Sequence, residues 1–128
     1  MEYEIQFESR RDYLYVTVSG DNTVESVLRY SKDIRDECLR SEQTRVLVVV
    51  KLDGKNLSML EVYKAVAQGS EEAKNVGMRV AYVDPNPEHP VDTMILAEEV
   101  AGARGIPVRT FRAVQEAAAW LVDKDHHD

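Results

Sequence analysis

The sequence contains a single cysteine, Cys38, in 128 residues, so no disulfide can form within the chain. A lone cysteine on the apolar side of a predicted helix is typical of a buried thiol in a reducing compartment. No stretch approaches the ~20 apolar residues of a membrane span, and residues 1 to 4 lack the basic and apolar regions of a secretory signal. These absences predict a cytoplasmic protein without a membrane span.

Positive charge is also scarce. The chain has 16 Lys and Arg residues against 23 Asp and Glu, which gives a formal net charge of −7, and the basic residues are scattered. We therefore expect neither nucleic acid nor an anionic membrane as a partner. Hydrophobic residues at 44% and charged residues at 30% are typical of a globular protein. The length predicts one domain at residues 2–122, followed by a polar tail at residues 123–128.

Motifs of catalysis and metal binding are missing as well. The chain has no G-x-S-x-G, no P-loop and no G-x-G-x-x-G, and Cys38 has no candidate base beside it. His89 stands alone, and the pair at positions 126 and 127 lies in the polar tail, so neither forms a set of metal ligands. The sequence predicts a non-enzymatic protein with no catalytic residues, no metal and no cofactor.

What the sequence does contain is an uninterrupted run of apolar, mostly β-branched residues within positions 45 to 52. Because this run lacks the alternation of a half-exposed strand, it predicts a central strand that is covered on both faces. Period-2 patterns at residues 3 to 7 and 14 to 18 predict an antiparallel hairpin before it. The predicted order is β-β-α-β-α-β-α-β-α, an α/β fold with a five-stranded, mostly parallel sheet and helices on both faces.

Capping signals and helical periodicity locate the helices. Asn22 is the expected cap of a first helix at residues 23 to 40, Ser58 with Glu61 forms a capping box for the second helix, and Asp92 is the expected cap of a third helix at 93 to 104. A last helix is expected at 113 to 122, after an edge strand at 106 to 111. The residues expected to face inward from the second and last helices are Leu60, Tyr63, Ala67, Ser70, Ala73, Val114, Ala117, Ala118 and Leu121.

The loops beyond the carboxyl ends of the strands are the expected place for a site, because ligands of open α/β sheets bind there. Ser58 would present its hydroxyl at the positive end of the second helix, where an added phosphate is stabilised, although its main predicted role is that of an N-cap. Asp53 and Asp84 end two neighbouring strands, and such a carboxylate pair suits Mg²⁺ or phosphoryl chemistry; capping of loops is the better interpretation. The candidate residues for partner binding or a phosphorylation switch are Ser58, Asp53, Asn56, Asp84 and His89.

Several segments between about residues 3 and 122 carry a resemblance to a known family. The marks are the opening hairpin, the central strand, the loop to Ser58, the Ala-Gly-Ala-Arg-Gly segment at 101 to 105 before Val-Arg-Thr-Phe at 108 to 111, and the closing Ala-Ala-Ala-Trp-Leu at 117 to 121. On these the chain resembles the SpoIIAA-like family, which is related to STAS domains and shares an architecture with SEC14/CRAL-TRIO lipid-binding domains. The resemblance implies a small non-enzymatic module that binds a protein partner, in some members under control of a phosphorylated serine at the position of Ser58.

Three functional hypotheses follow from the sequence. The first is a cytoplasmic regulatory or binding module that docks a protein partner around Ser58 and the loop at residues 84 to 92. The second is a carrier of a small lipophilic ligand between sheet and helices, which the SEC14 side of the resemblance implies. The third is a small phosphate-handling enzyme that uses Asp53 and Asp84 with Mg²⁺. A homodimer also remains open, because sheet edges and a last helix rich in alanine favour pairing.

Overall fold

The computed structural model describes residues 3–122, so the predicted polar tail lies outside the described residues. These residues form five strands and four helices in the predicted order. The strands are β1 (Tyr3–Ser9), β2 (Leu14–Asp21), β3 (Arg45–Asp53), β4 (Arg79–Val83) and β5 (Val108–Phe111). The helices are α1 (Val24–Ser41), α2 (Met59–Ala73), α3 (Val91–Ala103) and α4 (Val114–Leu121).

The five strands form one sheet in the order β1-β2-β3-β4-β5. β1 pairs with β2 antiparallel, with Ile5 opposite Val18, and all other pairs are parallel. The predicted hairpin and the predicted mostly parallel sheet are therefore confirmed. β3 lies in the middle and β5 at one edge, where Pro107 precedes its first residue.

β3 is covered on both faces, as its composition predicts. Its alternate residues Val46, Val48 and Val50 are buried in a cluster with residues of α1, α2 and α3. Leu47 and Val49 point the other way and are buried with Ala117 and Leu121 of α4. Each new parallel strand is added on the same side of the last one, so right-handed crossovers place all three connecting helices on one face.

α4 covers the opposite face over the middle and the β5 side of the sheet. Ala117 and Leu121 are fully buried against β3 and β4. The guanidinium of Arg79 lies 3.8 Å from the centre of the Trp120 ring and donates a hydrogen bond of 3.2 Å to the backbone oxygen of Trp120. This stacked and hydrogen-bonded contact attaches the C-terminal end of the short α4 to β4.

Several local predictions about the helices are wrong. Thr23, and not Asn22, caps α1, because its side chain accepts a hydrogen bond from the backbone nitrogen of Ser26. α3 begins at Val91 after Pro90, so Asp92 lies inside the first turn, where its charge still suits the helix end. Leu60 and Tyr63 on α2 and Val114 on α4 are exposed. The predicted inward residues Ser70 and Ala73 are buried, and the other inward residues of α2 are Val62, Ala65, Val66 and Gly69.

Candidate functional site

A cavity of about 220 Å³ lies between the sheet and the layer of helices α1, α2 and α3. Its floor consists of side chains from β3, β4 and β5, including Val48, Val50 and Val80. Its walls are mostly aliphatic residues of the three helices, such as Ile34, Val66 and Met94. A pocket with apolar walls and few polar groups is typical of sites for small molecules.

Small residues on the inner faces of α2 and α3 leave this space open. Ala65 and Gly69 of α2 and Ala97 and Ala101 of α3 line the cavity. A Cβ added at Gly69 would meet only Ser31, at 3.9 Å, which is an ordinary contact. Larger side chains at these positions would fill the interior, because protein cores are otherwise packed about as densely as organic crystals.

Two tyrosine side chains line the cavity, one from the helices and one from the sheet. The Oη atoms of Tyr30 on α1 and Tyr82 on β4 are 3.3 Å apart, and we call these residues the phenol pair. Burial raises the pKa of Tyr30 to about 12 and that of Tyr82 well above its usual value, and the negative charge of Asp84 acts in the same direction on both. The phenol pair therefore stays protonated at neutral pH and keeps its O–H groups.

Asp84 follows β4 directly and is one of the few buried polar residues. Its Oδ1 accepts a hydrogen bond of 3.1 Å from the backbone nitrogen of Asn86, and its Oδ2 lies 2.5 Å from Nδ1 of His89. Nε2 of His89 is in turn 3.3 Å from Nδ2 of Asn86. Asp84 thus closes the proline-rich loop at residues 84 to 90 onto itself, as expected of a loop-capping carboxylate.

Arg112 holds the same loop from the other side. Its guanidinium donates hydrogen bonds to three backbone oxygens, those of Asp84 at 3.3 Å, Asn86 at 2.7 Å and His89 at 2.7 Å. A planar group with five donors suits several carbonyls at once. The loop therefore keeps Asp84 and His89 at the edge of the cavity, which both of them line.

The cavity reaches the surface at the carboxyl ends of the strands, at a point that we call the mouth. Of the lining residues, Asn56 and Pro90 are exposed there, and Asn22 and Leu57 are half-buried. Nδ2 of Asn22 donates a hydrogen bond of 3.0 Å to the backbone oxygen of Lys55, which connects two sides of the mouth. At the opposite end the lining residues Met78, Ala101 and Ile106 are buried, so that end is closed.

The structure brings some of the predicted site residues together and separates others. Asn56, Asp84 and His89 line the cavity near its mouth. Asp53 is exposed at the end of β3 and borders, with Asp84 and His89, a second cleft. Ser58 is exposed and forms the predicted capping box, in which its Oγ accepts from the Glu61 nitrogen at 3.1 Å and its own nitrogen donates to the Glu61 carboxylate at 2.9 Å.

Within residues 3–122 no three His, Cys, Asp or Glu side chains are grouped so that they could hold a metal ion. The pair at positions 126 and 127 lies outside the described residues. Asp84 already uses both carboxylate oxygens in its own loop. None of the helices described has the length and hydrophobicity required to cross a bilayer.

Sequence reasoning assigned no role in the site to Tyr30, Tyr82 or Arg112. Tyr82 stands in a strand between Ala81 and Val83, and Tyr30 lies on the inner side of α1. A tyrosine at such a position carries a hydroxyl into the interior, where it requires a partner, and that was the available signal. The contacts of Arg112 with backbone oxygens depend on the path of the loop, and no residue pattern predicts them.

The arrangement of elements defines an α/β protein with a SpoIIAA-like fold, the fold of the STAS class. A solved structure from Shewanella loihica PV-4, described as an uncharacterized DUF3478 family protein with a SpoIIAA-like fold, is similar over 93% of this chain and 93% of its own, with 22% sequence identity and a TM-score of 0.51. The sequence matches no protein-family model and no curated protein. The similarity confirms the predicted fold.

Proposed function

We propose that the protein is a non-enzymatic cytoplasmic binding module that holds a small lipophilic molecule between its sheet and helices α1 to α3. The observation that carries this proposal is the cavity of about 220 Å³, which has aliphatic walls and opens at the carboxyl ends of the strands. Transfer of an apolar molecule from water into such a space is favourable by roughly 25 cal/mol per Å² of apolar surface removed from water. This is the second of the hypotheses raised by the sequence.

The cavity is large enough for an occupant of modest size. An engineered apolar cavity of about 150 Å³ in another protein binds benzene, and the cavity here is about half as large again. The rim of the mouth consists of neutral residues, Asn22, Asn56, Leu57 and Pro90, and the Asp84 carboxylate near it is paired with His89. These features favour a single ring with a short substituent, or a chain of similar bulk.

The direct test is a titration of the purified protein with propylbenzene by calorimetry. We expect binding of one molecule per chain and a rise in the midpoint of thermal unfolding, because a ligand that binds only the folded state stabilises it. Ala97→Phe should abolish both effects, since Ala97 lines the cavity and a phenyl ring would occupy the space. Ala119→Phe is the matched control, because Ala119 is exposed on α4, on the other face of the sheet. Binding that survives Ala97→Phe, or no binding to the wild type, would contradict the proposal.

A second candidate function is docking of a protein partner at the start of α2. The supporting observation is that three large apolar side chains follow Ser58 there, with Met59 48%, Leu60 61% and Tyr63 45% exposed. Exposed apolar groups close together on one helix are typical of interaction surfaces. This corresponds to the regulatory module of the first hypothesis, in which phosphorylation of Ser58 would add negative charge at the edge of the surface.

The test of partner docking compares two leucines of equal exposure. Leu60 is 61% exposed on α2 and Leu39 is 60% exposed on α1. A protein retained by the immobilised wild type should be lost with Leu60→Ser and with Ser58→Asp, and retained with Leu39→Ser. Equal retention by all three variants would remove the start of α2 as the docking surface, and the ligand cavity would be unaffected by that result.

A further inference from the structure

The phenol pair contains a hydrogen-bond donor that no described residue uses. Tyr30 and Tyr82 have two O–H groups, and the single contact between their oxygens, at 3.3 Å, uses one of them. The second O–H has no acceptor among residues 3–122, although Tyr30 is only 3% exposed. Because an unused donor inside a protein is unfavourable, this O–H is suited to an acceptor atom on a molecule inside the cavity.

The charge around the phenol pair selects against an anionic acceptor. No Lys or Arg is found among the described residues that line the cavity, and Asp84 is its only carboxylate. Asp84 is near enough to contribute to the raised pKa of both tyrosines, after the larger effect of burial. A carboxylate or phosphate placed beside the phenol pair would be repelled by Asp84 and would find no Lys or Arg among the lining residues, and the imidazole of His89 already contacts Asp84.

A cationic group suits the position no better. A protonated amine has donors and no acceptor, so it would leave the second phenol O–H unused. The two oxygens of Asp84 already bind the Asn86 nitrogen and Nδ1 of His89, so a cation would compete with the contacts that hold the loop. The remaining chemistry is a neutral group with an accepting oxygen, which is a hydroxyl or a carbonyl.

We propose that the ligand is a neutral, mostly apolar molecule of about ten non-hydrogen atoms with one hydroxyl or carbonyl oxygen, which accepts a hydrogen bond from the phenol pair of Tyr30 and Tyr82. This inference rests on the proposed ligand-binding function and specifies its occupant. The apolar body lies against the aliphatic lining, which includes Val48, Val50 and Val66, and the oxygen lies beside the phenol pair. The phenol pair is thus the element that distinguishes this class of ligand from fatty acids and from pure hydrocarbons.

The test uses four probes that share a phenylpropyl body and differ at one end: propylbenzene, 3-phenylpropan-1-ol, 3-phenylpropanoate and 3-phenylpropylamine. At pH 7 the last two are charged. Calorimetry with the full chain should show the alcohol binding at least about tenfold more tightly than either charged probe. A charged probe binds more weakly because its charge is buried without a partner and because it lacks the hydrogen bond that the alcohol makes with the phenol pair. Propylbenzene reports on the apolar body alone.

The variant that tests the phenol pair is the double substitution Tyr30→Phe with Tyr82→Phe. A double change is required because either tyrosine alone still has an O–H to donate. It should weaken the alcohol about three- to tenfold and leave propylbenzene unchanged or bound more tightly. The matched control is Tyr13→Phe with Tyr63→Phe, two tyrosines that do not line the cavity, and it should change neither affinity.

Each result decides the proposal. If the alcohol and propylbenzene bind, and the double variant weakens only the alcohol, the proposal holds. If propylbenzene binds but the double variant leaves the alcohol unaffected, or if either charged probe binds most tightly, the assignment of the ligand's polar group is wrong while the cavity remains a binding site. If none of the four probes binds, the proposed function fails and this inference fails with it.

Discussion

Ser58 stabilises the start of α2 through two reciprocal hydrogen bonds with Glu61. The side-chain oxygen satisfies a backbone N–H that has no partner within the helix, and the Glu61 carboxylate satisfies the N–H of Ser58 itself. This structural role is independent of any regulatory one. An effect of a Ser58 substitution on partner binding therefore has to be compared with the loss of stability that follows from removing the cap.

We expect Ser58→Ala to lower the free energy of unfolding by about 1 kcal/mol, because the cap is lost. Ser58→Asp should change it by less than about 0.5 kcal/mol, because aspartate is an equally good cap. Urea unfolding followed by circular dichroism measures both. A Ser58→Ala variant as stable as the wild type would show that the capping box contributes nothing to the folded state.

The raised pKa of Tyr30 predicts that the folded protein loses stability at alkaline pH. Burial raises its pKa in the folded state to about 12 from an ordinary value of 10.0. Below pH 10 the tyrosine is protonated in both states and its full contribution is present. Between pH 10 and 12 the unfolded chain releases this proton first, so stability falls as pH rises.

The loss due to Tyr30 should amount to about 2 kcal/mol by pH 12. Tyr30→Phe should therefore show a shallower decline than the wild type over this interval in urea unfolding. Tyr63→Phe, which alters an exposed tyrosine, is the matched control. Parallel curves for the wild type and Tyr30→Phe would show that the Tyr30 hydroxyl ionises as easily in the folded protein as in the unfolded chain.

At the scale of the element, α3 and the turn after it contain two glycines with opposite requirements. Gly102 lies in the helix, and a Cβ added there would meet nothing within 4 Å. Gly105 also has open space around it, but its φ is +83°, in the left-handed region. The difference between the two positions is therefore one of backbone conformation and not of packing.

Gly102→Ala should raise the free energy of unfolding by about 0.5 to 1 kcal/mol, because alanine favours the helix. Gly105→Ala should lower it by about 1 kcal/mol or more, because an L side chain is strained at positive φ. Urea denaturation measures both changes. The same sign for the two substitutions would contradict the assigned end of α3.

Element order, the central position of β3 and the capping box of Ser58 could all be predicted from residue patterns. The inner face of α2 could be predicted at Ser70 and Ala73, but not in the first half of the helix. Its large apolar residues, Leu60 and Tyr63, face solvent, and Ala65 and Gly69 face inward, so a search for large residues at helical spacing selects the wrong side. Small inward residues give a weak hydrophobic signal. The space that they leave also depends on three facing elements, so the sequence of α2 alone does not reveal it.

At the scale of the whole molecule, the strand order explains on which face of the sheet the cavity of the site lies. The helices α1, α2 and α3 all cross on one side and form a continuous layer, and the small residues on its inner face leave space above part of the sheet. On the other side the single short α4 packs directly on β3 and β4 through Ala117 and Leu121. A ligand between sheet and helices would therefore contact only one face of β3.

Methyl NMR of the protein during titration with propylbenzene tests ligand binding in the cavity most directly, because residues on the opposite face of β3 serve as an internal control. Val48 and Val50 line the cavity, whereas Leu47 and Val49 of the same strand contact α4. We predict that the methyl resonances of Val48 and Val50 shift in a saturable manner while those of Leu47 and Val49 stay in place. Absence of any shift, or equal shifts on both faces of β3, would contradict the claim that this cavity is a binding site.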